Sequence, residues 1–356
     1  MISLSHQEVP ESQINELKKY CKEVHVIRLN ILAVFSQVLL GLLKGRSVSV
    51  SYFYSASAKN KMQQIVTSIK ADVAYFQLIR MMSYCSVFKG HKVLDYMDAF
   101  SLGMKRRAKD KGTILKPFLI WESRMLARAE SQAKDLFDSF TIISDRDRRF
   151  IQHKDRQKIE IVPNGIDPEY FMPGAKTPEF DLVFVGNLGY YPNVHAARYL
   201  VKKILPLVQK KKQVKVLLAG ARPHQLILDL QSDNVIVWSW LDDIRAAYHD
   251  GKIFVAPVFQ GSGLQNKILE ALACGTPCIT TSQVNASIGA GPDDQLLIAD
   301  DDKQFAAKIV QLLDDSAKQH LLAESGRRFV SLHFRWNDVS VPLINILKGN
   351  IINADH

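Results

Sequence analysis

The chain has 356 residues, 47% of them apolar, which is enough for two domains of ordinary size and excludes collagen-like and disordered classes. Its formal net charge is +10, and residues 1–172 carry 27 Lys and Arg against 18 Asp and Glu, which leaves +9 in that half. Such a basic half suits an anionic membrane surface or a phosphorylated acceptor. Nucleic acid is the least favoured partner, because the chain shows no nucleic-acid motif and no basic stripe interleaved with aromatic residues.

The four cysteines, at positions 21, 85, 274 and 278, are too scattered for a disulfide framework. None of them lies in a cluster of Cys and His with the spacing of metal ligands. Residues 1–12 are too polar to form a secretory signal peptide. These features predict a cytoplasmic protein without a metal cofactor.

Apolar runs typical of buried strands alternate with helical patterns through the first half. The predicted strands are Met1–Ser5, His25–Leu29, Asp72–Phe76, Lys92–Met97 and Ser139–Ser144. The predicted helices are Glu11–Cys21, Ile31–Leu43, Lys59–Ile69 and Ile114–Phe137, with a loop at Ser47–Tyr54. Strands separated by helices predict an α/β fold with a parallel, doubly wound sheet.

The longest apolar run, Ile31–Leu43, has about thirteen residues, fewer than the roughly twenty that span a bilayer. We interpret it as a core helix. The alternative is a helix that lies in the plane of a membrane interface.

The segment Lys158–Pro173 is the predicted domain boundary, because a Pro-Asn-Gly turn is followed there by prolines that prevent long regular structure. Beyond it the alternation repeats. The predicted strands are Asp181–Val185, Val214–Ala219, Val235–Val237, Ile253–Ala256, Cys278–Thr280 and Leu296–Ile298. The predicted helices are one capped by Asn193 and running to Lys210, then Pro223–Leu230, Asp242–Tyr248, Asp302–Leu313, Lys318–Leu332, and one from Trp336.

The most informative stretch runs from Phe259 to Pro277. A flexible turn, Gly261-Ser262-Gly263, is predicted to open a helix of about eleven residues, which Gly275 ends as a C′ glycine. Gly263, Lys267 and Glu270 share one helical face. The leucines and isoleucine at 264, 268, 269 and 272 cover the faces that would pack against a sheet.

This arrangement predicts a nucleotide-sugar diphosphate site. A helix N-terminus free of bulky side chains favours an anion, Lys267 adds a charge for a phosphate, and Glu270 can accept hydrogen bonds from a ribose. The alternative is an ordinary amphipathic helix with a solvated Lys–Glu pair. The position of this stretch, directly after a predicted strand, favours a ligand site, because open parallel sheets bind ligands at the carboxyl ends of their strands. Four segments follow predicted strands: Gly186, Gly220, Pro257–Gly263 and Thr280–Thr281.

Three segments carry a family resemblance: VPNGID at 162–167, FVGNL at 184–188 and APVFQGSGLQNKILEALACGTPCITT at 256–281. The chain resembles the retaining glycosyltransferases of family 4, and is most similar to the sugar transferases found with bacterial exopolysaccharide systems. The resemblance implies the GT-B architecture, with two Rossmann-like domains facing across a cleft. It implies an acceptor-side domain at 1–165, a nucleotide-sugar-binding domain at 166–335, and a C-terminal helix at 336–356 that crosses back to the first domain.

The resemblance also implies roles for individual residues on the donor side. Glu270 matches the second Glu of the family's E-x7-E motif, which meets the ribose, whereas the first Glu of that motif is replaced by Ser262. Lys267 matches a basic residue that meets the diphosphate, and we assign it a catalytic role in stabilising the leaving group without a metal. The remaining donor-side candidates are Gly186, Asn187, Arg222, Gly261, Ser262, Gly263 and Leu264.

On the acceptor side, related enzymes place polar residues at strand ends, and the candidates here are Arg80, Asp98 and Glu122. Asp98 follows a predicted strand and is the best of them, as a catalytic carboxylate. Its alternative role is the N-cap of the basic segment that follows. The implied acceptor is a glycan or a lipid-phosphate-linked sugar, and the implied location is the cytoplasm, with peripheral contact to the inner face of the membrane.

Relatives of this kind usually begin with a strand, a glycine-containing loop and a helix before the segment that resembles Met1–Ser5. This chain has no such unit, so we expect an N-terminal domain that lacks its first βα unit. Two other functions stay open: an inactive homologue that still binds nucleotide, and a membrane-associated interaction protein that uses the basic half and Ile31–Leu43.

Overall fold

The computed structural model describes residues 1–108, 114–175, 177–259 and 264–352, without the side chains of Leu32, Ala33 and residues 350–352. The chain divides into two compact units, one of residues 1–162 with 342–356 and one of residues 163–341. The first division falls inside the segment Lys158–Pro173, where prolines and a Pro-Asn-Gly turn interrupt regular structure.

The first unit is built from parallel strands. They are β1 (Ile2–Ser5), β2 (His25–Arg28), β3 (Val73–Gln77), β4 (His91–Asp95), β5 (Ser139–Ile142) and β6 (Glu160–Ile161). β1 and β2 pair with each other, and the other four form a sheet in the order β3-β4-β5-β6. The parallel arrangement confirms the α/β prediction, although the hydrogen-bonded ladders form two sheets rather than one. The chain starts with a βαβ unit, whose first loop, residues 6–10, contains no glycine.

The helices between these strands are α1 (Glu11–Lys18), α2 (Ile31–Leu43), α3 (Val48–Tyr52), α4 (Ala56–Ser68), α5 (Phe100–Arg107), α6 (Lys116–Gln132) and α7 (Asp145–Arg148). Short 3-10 segments occupy Ile79–Val87, Ala133–Asp135 and Arg156–Lys158. The Ser144 side chain caps α7 by accepting a hydrogen bond from the Asp147 amide.

The prediction of a loop at Ser47–Tyr54 is wrong, because α3 forms there. Ser47 caps α3, and its N-terminal amides also donate to a carboxylate of α6: Val48 N to Glu122 Oε2 at 2.8 Å and Ser49 N to Glu122 Oε1 at 2.9 Å. A second α6 carboxylate, Glu130, accepts the Ser101 amide at the start of α5 at 3.0 Å. Two buried carboxylates of one helix therefore satisfy the N-termini of two short helices, and local sequence does not reveal this.

Helix α2 has the predicted bounds, but the interpretation as a core helix describes only one of its faces. Val34 is buried and Val38 packs on the core, whereas Phe35 and Leu39 are 71% and 60% exposed. Within the described part of the chain, no helix is both long and apolar enough to cross a membrane.

The second unit contains one six-stranded parallel sheet. Its strands are β7 (Phe180–Val185), β8 (Val216–Ala219), β9 (Val235–Trp238), β10 (Gly251–Ala256), β11 (Cys278–Thr280) and β12 (Leu297–Ile298). They are arranged in the order β12-β11-β10-β7-β8-β9. β7, β8 and β10 form the buried centre, where Val183, Leu217 and Phe254 have no exposed surface.

The helices that follow are α8 (Tyr191–Tyr199), α9 (Leu205–Gln209), α10 (Gln225–Leu228), α11 (Arg245–His249), α12 (Asn266–Ala273), α13 (Ser282–Ile288), α14 (Asp302–Asp314), α15 (Ser316–His333), α16 (Trp336–Val339) and α17 (Val341–Ile352). A π-helical turn, Leu200–Ile204, joins α8 to α9, so the helix predicted up to Lys210 has an interruption. All residues of α17 from Pro342 onward belong to the first unit.

Candidate functional site

The strand order of the second unit creates a switch point between β7 and β10. In the unit's own numbering the order is 3-2-1-4-5-6, so the chain leaves β7 towards one edge of the sheet and β10 towards the other. The loops after these two neighbouring strands lead into α8 and α12. Such a crevice at the carboxyl ends is where open α/β sheets bind ligands.

Glycines allow the loops after β7 and β8 to approach each other closely. Gly186 follows β7, and Gly220 follows β8 with φ at +146°. A Cβ atom at Gly220 would lie 1.7 Å from the Gly186 carbonyl oxygen, so no other residue fits there. The first loop is further ordered by Asn187, whose Oδ1 accepts a hydrogen bond from the Gly189 amide at 3.0 Å.

Helix α12 follows β10 but begins later than predicted. It starts at Asn266, and Leu264 and Gln265 precede it outside the helix. The predicted turn Gly261-Ser262-Gly263 lies outside the described residues. The predicted packing face of this segment is confirmed, because all four of its apolar residues are at most 7% exposed: Leu264, Ile268, Leu269 and Leu272. Leu264, which was also a donor-side candidate, is therefore a core residue. Gly275 has φ at +72° directly after the C-cap, as the predicted C′ glycine requires.

Lys267 lies in the first turn of α12 and reaches back towards β7. Its Nζ donates to Asn193 Oδ1 at 2.5 Å and to Gln265 Oε1 at 3.2 Å, and lies 5.6 Å from the centroid of the Phe184 ring. Burial lowers the pKa of Lys267 to about 8, and the nearby Glu270 carboxylate opposes part of that shift. Its described contacts include no ion pair, so a partly desolvated ammonium is held beside the switch point.

Asn193 joins the two loops of the crevice. It was predicted to cap α8, but it lies inside that helix, and the N-cap position belongs to Tyr190. Its side chain accepts from Lys267 and donates to the Asn187 carbonyl oxygen at 3.0 Å. Sequence patterns suggest a cap for Asn before a helix, whereas here the amide is needed to hold Lys267 against the first loop.

Glu270 lies one turn after Lys267 and is oriented by a buried tyrosine. The Tyr248 hydroxyl donates to Glu270 Oε2 at 2.5 Å, and Oε1 accepts no hydrogen bond from another described residue. Burial raises the pKa of Glu270, whereas the Tyr248 hydroxyl and Lys267 lower it. Burial, followed by the adjacent carboxylate, raises the pKa of Tyr248, so this hydroxyl remains a hydrogen-bond donor. Local sequence patterns do not indicate Tyr248 as a site residue, because 22 residues separate it from Glu270.

The exits of β8 and β9 carry two non-glycine residues with left-handed backbone. Arg222 has φ at +53° and Trp240 has φ at +55°, and both side chains are exposed. Such conformations are costly for residues with a Cβ and concentrate at ligand sites. Trp240, which is 67% exposed, was not among the predicted site residues, although a tryptophan just past a strand is a visible sequence signal.

In the first unit, Asp98 lies just beyond the carboxyl end of β4. It does not cap α5, because the N-cap residue is Ala99 and the Ser101 amide of the first turn donates to Glu130 instead. The Oδ1 atom of Asp98 is buried without a hydrogen-bond partner among the described residues. Burial, followed by the nearby Asp147 and Asp95 carboxylates, raises the pKa of Asp98 to about 7, and Arg106 opposes this shift. Asp98 thus combines an acceptor atom that no described residue pairs with and a pKa close to neutrality.

The other two acceptor-side candidates, Arg80 and Glu122, have different surroundings from Asp98. The Arg80 guanidinium lies 4.8 Å from the Phe53 ring centroid and 5.0 Å from that of Phe100, and burial lowers its pKa. Glu122 is 2% exposed, and its carboxylate also accepts from Ser47 Oγ at 2.7 Å. We therefore replace the acceptor-side assignment of Glu122 with a structural one at the start of α3.

Two Asp-x-Asp patterns of the chain do not form metal sites in this arrangement. Asp145 pairs with Arg148 and Arg149, and Asp147 accepts from the Ser144 hydroxyl. In the second pattern, Asp300–Asp302, Asp300 accepts from both the amide and the hydroxyl of Ser282. Among the described residues, no group of three or more His, Cys, Asp and Glu side chains is placed to hold a metal ion.

Comparison with known families identifies the segment that contains this crevice. Residues 179–315 match the family described as Glycosyl transferases group 1. The matched segment lies within the second unit and includes Gly186, Asn193, Lys267 and Glu270, so the similarity to glycosyltransferases covers the residues of the crevice.

Curated relatives, among them a capsular polysaccharide glycosyltransferase, match about half of the chain. The capsular polysaccharide biosynthesis glycosyltransferase CapM of Staphylococcus aureus is 24% identical over 205 residues, which cover 54% of this chain and 52% of CapM. An Escherichia coli UDP-Gal:alpha-D-GlcNAc-diphosphoundecaprenol alpha-1,3-galactosyltransferase is 27% identical over 187 residues, 45% of this chain and 46% of that enzyme. The chain spans about half the length of the curated relatives it matches.

Among solved structures, HepE from Anabaena in complex with UDP-glucose is similar over nearly the whole chain. The TM-score is 0.68 at 14% identity, with 98% of this chain and 99% of HepE covered. At that identity the likeness shows the fold, which is the GT-B fold of glycosyltransferases.

Proposed function

We propose, from the match of residues 179–315 to the glycosyltransferase group 1 family, that this chain is a hexosyltransferase-type glycosyltransferase. It would move a sugar from a nucleotide-diphosphate donor to a glycan or lipid-phosphate-linked acceptor in exopolysaccharide or cell-surface polysaccharide synthesis. Support comes from the capsular transferase CapM and from HepE, whose structure holds UDP-glucose.

The observation that carries the proposal is the position of Lys267. Its ammonium is partly desolvated at the β7–β10 switch point and is held by the neutral amides of Asn193 and Gln265. A diphosphate bound at this end of α12 would receive the full charge of Lys267 and the partial positive charge of the helix N-terminus. The charge that develops on the diphosphate as the anomeric bond breaks would then be stabilised by groups already in place.

The remaining groups of the crevice suit the rest of a nucleotide. Glu270 is fixed by Tyr248 through Oε2, and its Oε1, to which no described residue donates, suits hydrogen bonds from a ribose diol. Gly186 and Asn187 offer a loop without bulky side chains next to the diphosphate. Arg222 and Trp240 present flat, exposed side chains at the exits of β8 and β9, where a base can stack.

We further propose that transfer retains the anomeric configuration and is independent of metal, with Lys267 in the role that a divalent cation would otherwise fill. On the acceptor side, Asp98 lies beyond the carboxyl end of β4 and has a pKa of about 7, and Oδ1 has no partner among the described residues; this supports a role in accepting the proton of an acceptor hydroxyl. Arg80 is retained as a candidate contact for an anionic part of the acceptor.

The acceptor and the location are proposed from a relative. The Escherichia coli enzyme named above acts on a sugar linked through diphosphate to a lipid. By analogy we propose a lipid-phosphate-linked acceptor, and a cytoplasmic enzyme that works at the inner face of the membrane.

A binding measurement on the full chain tests the donor site. A thermal-shift screen with UDP, GDP and ADP sugars identifies the donor, and calorimetry then measures its affinity. We expect Lys267→Ala and Glu270→Ala each to abolish detectable binding, because each removes a group that contacts the diphosphate or ribose. The matched control is Lys303→Ala, which removes an exposed lysine from α14. Wild-type affinity in either site variant would refute the assignment, and binding without turnover in the wild type would favour the inactive homologue.

A further inference from the structure

Helix α2 presents an apolar stripe to solvent. Phe35, Leu39 and Leu43 are 71%, 60% and 77% exposed, and Ile31 and Leu42 are also exposed. Their spacing of three to four residues places Ile31, Phe35, Leu39 and Leu42 along one side of the helix. The neighbouring side, about a quarter turn around the helix, packs inward through Val34, Val38 and Gly41. An apolar surface of this kind on a single helix indicates a partner.

The orientation of the stripe is set by close contact with the neighbouring helix. A Cβ atom at Gly41 would lie 2.1 Å from the Ser51 Oγ of α3, so only glycine lets the two helices approach this closely. Ser51 is in turn held by its hydrogen bond to the Ser47 carbonyl oxygen at 2.8 Å. Rotation of α2 to bury the outward leucines would therefore break the α2–α3 contact.

The chain segment that contains α2 carries only positively charged side chains. Residues 24–71, which contain α2, α3 and α4, include six Lys and Arg residues and no Asp or Glu. Lys44 and Arg46, which follow α2 directly, are exposed. The whole first unit has 28 Lys and Arg against 17 Asp and Glu, or +11. Two copies of this unit would repel each other through this face, whereas an anionic surface would attract it.

We infer that α2 docks the protein onto an anionic lipid surface, with its outward stripe in the interface and Lys44 and Arg46 at the headgroups. With thirteen residues, α2 is too short to span a bilayer, but an apolar face of this length suits a helix that lies in the interfacial plane. The inference deepens the proposed function, because it names the surface that would bring the enzyme to a lipid-linked acceptor.

Vesicle flotation with the full chain tests the inference. We expect binding to vesicles of phosphatidylglycerol mixed with phosphatidylcholine and much weaker binding to phosphatidylcholine alone. Phe35→Glu and Leu39→Glu should each reduce the partition coefficient about tenfold or more, because each removes a large apolar side chain from the interface. The matched control, Leu332→Glu, changes a leucine of α15 that is 62% exposed and should bind as the wild type does.

A double variant tests the role of the basic residues that follow α2. Lys44→Glu combined with Arg46→Glu should remove the preference for phosphatidylglycerol while leaving the weak binding to phosphatidylcholine unchanged. Circular dichroism confirms that the variants are folded, which we expect because all four changed side chains are exposed.

Several outcomes would overturn the docking assignment: no binding of the wild type to anionic vesicles, or wild-type binding by Leu39→Glu. Sedimentation velocity addresses a second copy as the occupant, and a dimer that Leu39→Glu dissociates would also overturn it. Calorimetry of donor binding separates the two proposals, because Leu39→Glu should bind the donor normally. Failure of vesicle binding with intact donor binding would contradict only the docking surface, and the reverse result only the donor site.

Discussion

At the scale of single residues, the site depends on how Lys267 is kept charged in a partly buried position. Asn193 and Gln265 offer it neutral oxygen atoms, which satisfy the ammonium without cancelling its charge. Burial alone disfavours the charged form, which is why its pKa falls from 10.5 to about 8. An ammonium in this state gains more from a bound diphosphate than a solvated one, because little water remains to be displaced.

This shift predicts how donor binding depends on pH. Affinity should be nearly constant well below pH 8 and fall as the pH rises through that value, because the free enzyme then loses the proton that the diphosphate requires. Calorimetry in buffers with different ionisation enthalpies should show proton uptake on binding above pH 8. A donor affinity that stays flat from one unit below to one unit above this value would contradict a role for Lys267.

Lys267 also makes the free energy of unfolding depend on pH. Below pH 8 Lys267 is charged in the folded and the unfolded chain, and its burial destabilises the fold. Between pH 8 and 10.5 the folded protein releases the proton first, so the unfolded state binds more protons. The contribution of Lys267 to the free energy of unfolding therefore rises across this window.

At the scale of elements, α6 organises the first unit through its buried carboxylates. Glu122 accepts three hydrogen bonds at the start of α3, and Glu130 accepts from the amide and hydroxyl of Ser101 at the start of α5. Short helices are weakly stable alone, since nucleation fixes several residues for each hydrogen bond. The N-termini of α3 and α5 are only partly capped by residues of their own segments. The two carboxylates of α6 accept hydrogen bonds from the amides that remain.

Removal of one carboxylate should therefore destabilise the first unit. We expect Glu122→Ala to lower the free energy of unfolding by about 3 kcal/mol, because three donors lose their acceptor and two of them are helix amides. Urea denaturation measures the change, with Glu8→Ala as the control at an exposed glutamate. Unchanged stability combined with lost transfer activity would restore the acceptor-side role that we have set aside for Glu122.

At the scale of the whole molecule, charge is divided between the two units. The first carries +11, whereas the second has 18 Lys and Arg against 19 Asp and Glu, or −1. Attraction to an anionic surface would thus act on the first unit over a distance, whereas donor binding depends on a few groups within the second. Long-range attraction between exposed charges is screened beyond about 8 Å at physiological ionic strength, whereas partly buried pairs are screened much less.

The two binding events should accordingly respond differently to salt. Raising the ionic strength from a low value to ~0.15 M should weaken vesicle binding severalfold and donor binding much less. Flotation and calorimetry on the same preparation measure both. Equal sensitivity of the two would contradict the assignment of the donor site to a locally held, partly desolvated lysine.

Local sequence patterns determined much of the secondary structure of this protein and part of its core. Hydrophobic periodicity predicted the alternating strands and helices and the bounds of α2, and it also predicted the buried face of α12. The glycine at 275 marked a helix end because only a positive φ fits there. These features depend on residues a few positions apart, which is the range over which propensity and periodicity carry information.

The tertiary structure alone decided the features that join distant residues. Asn193 and Lys267 are 74 positions apart, and so are Val48 and Glu122, yet each pair is hydrogen-bonded. The order of the six strands, which puts β7 beside β10, likewise follows from packing of the whole unit. Whether a side chain caps a helix or links two loops depends on which partner the fold brings within hydrogen-bonding distance. Periodicity along the chain carries no information about that distance.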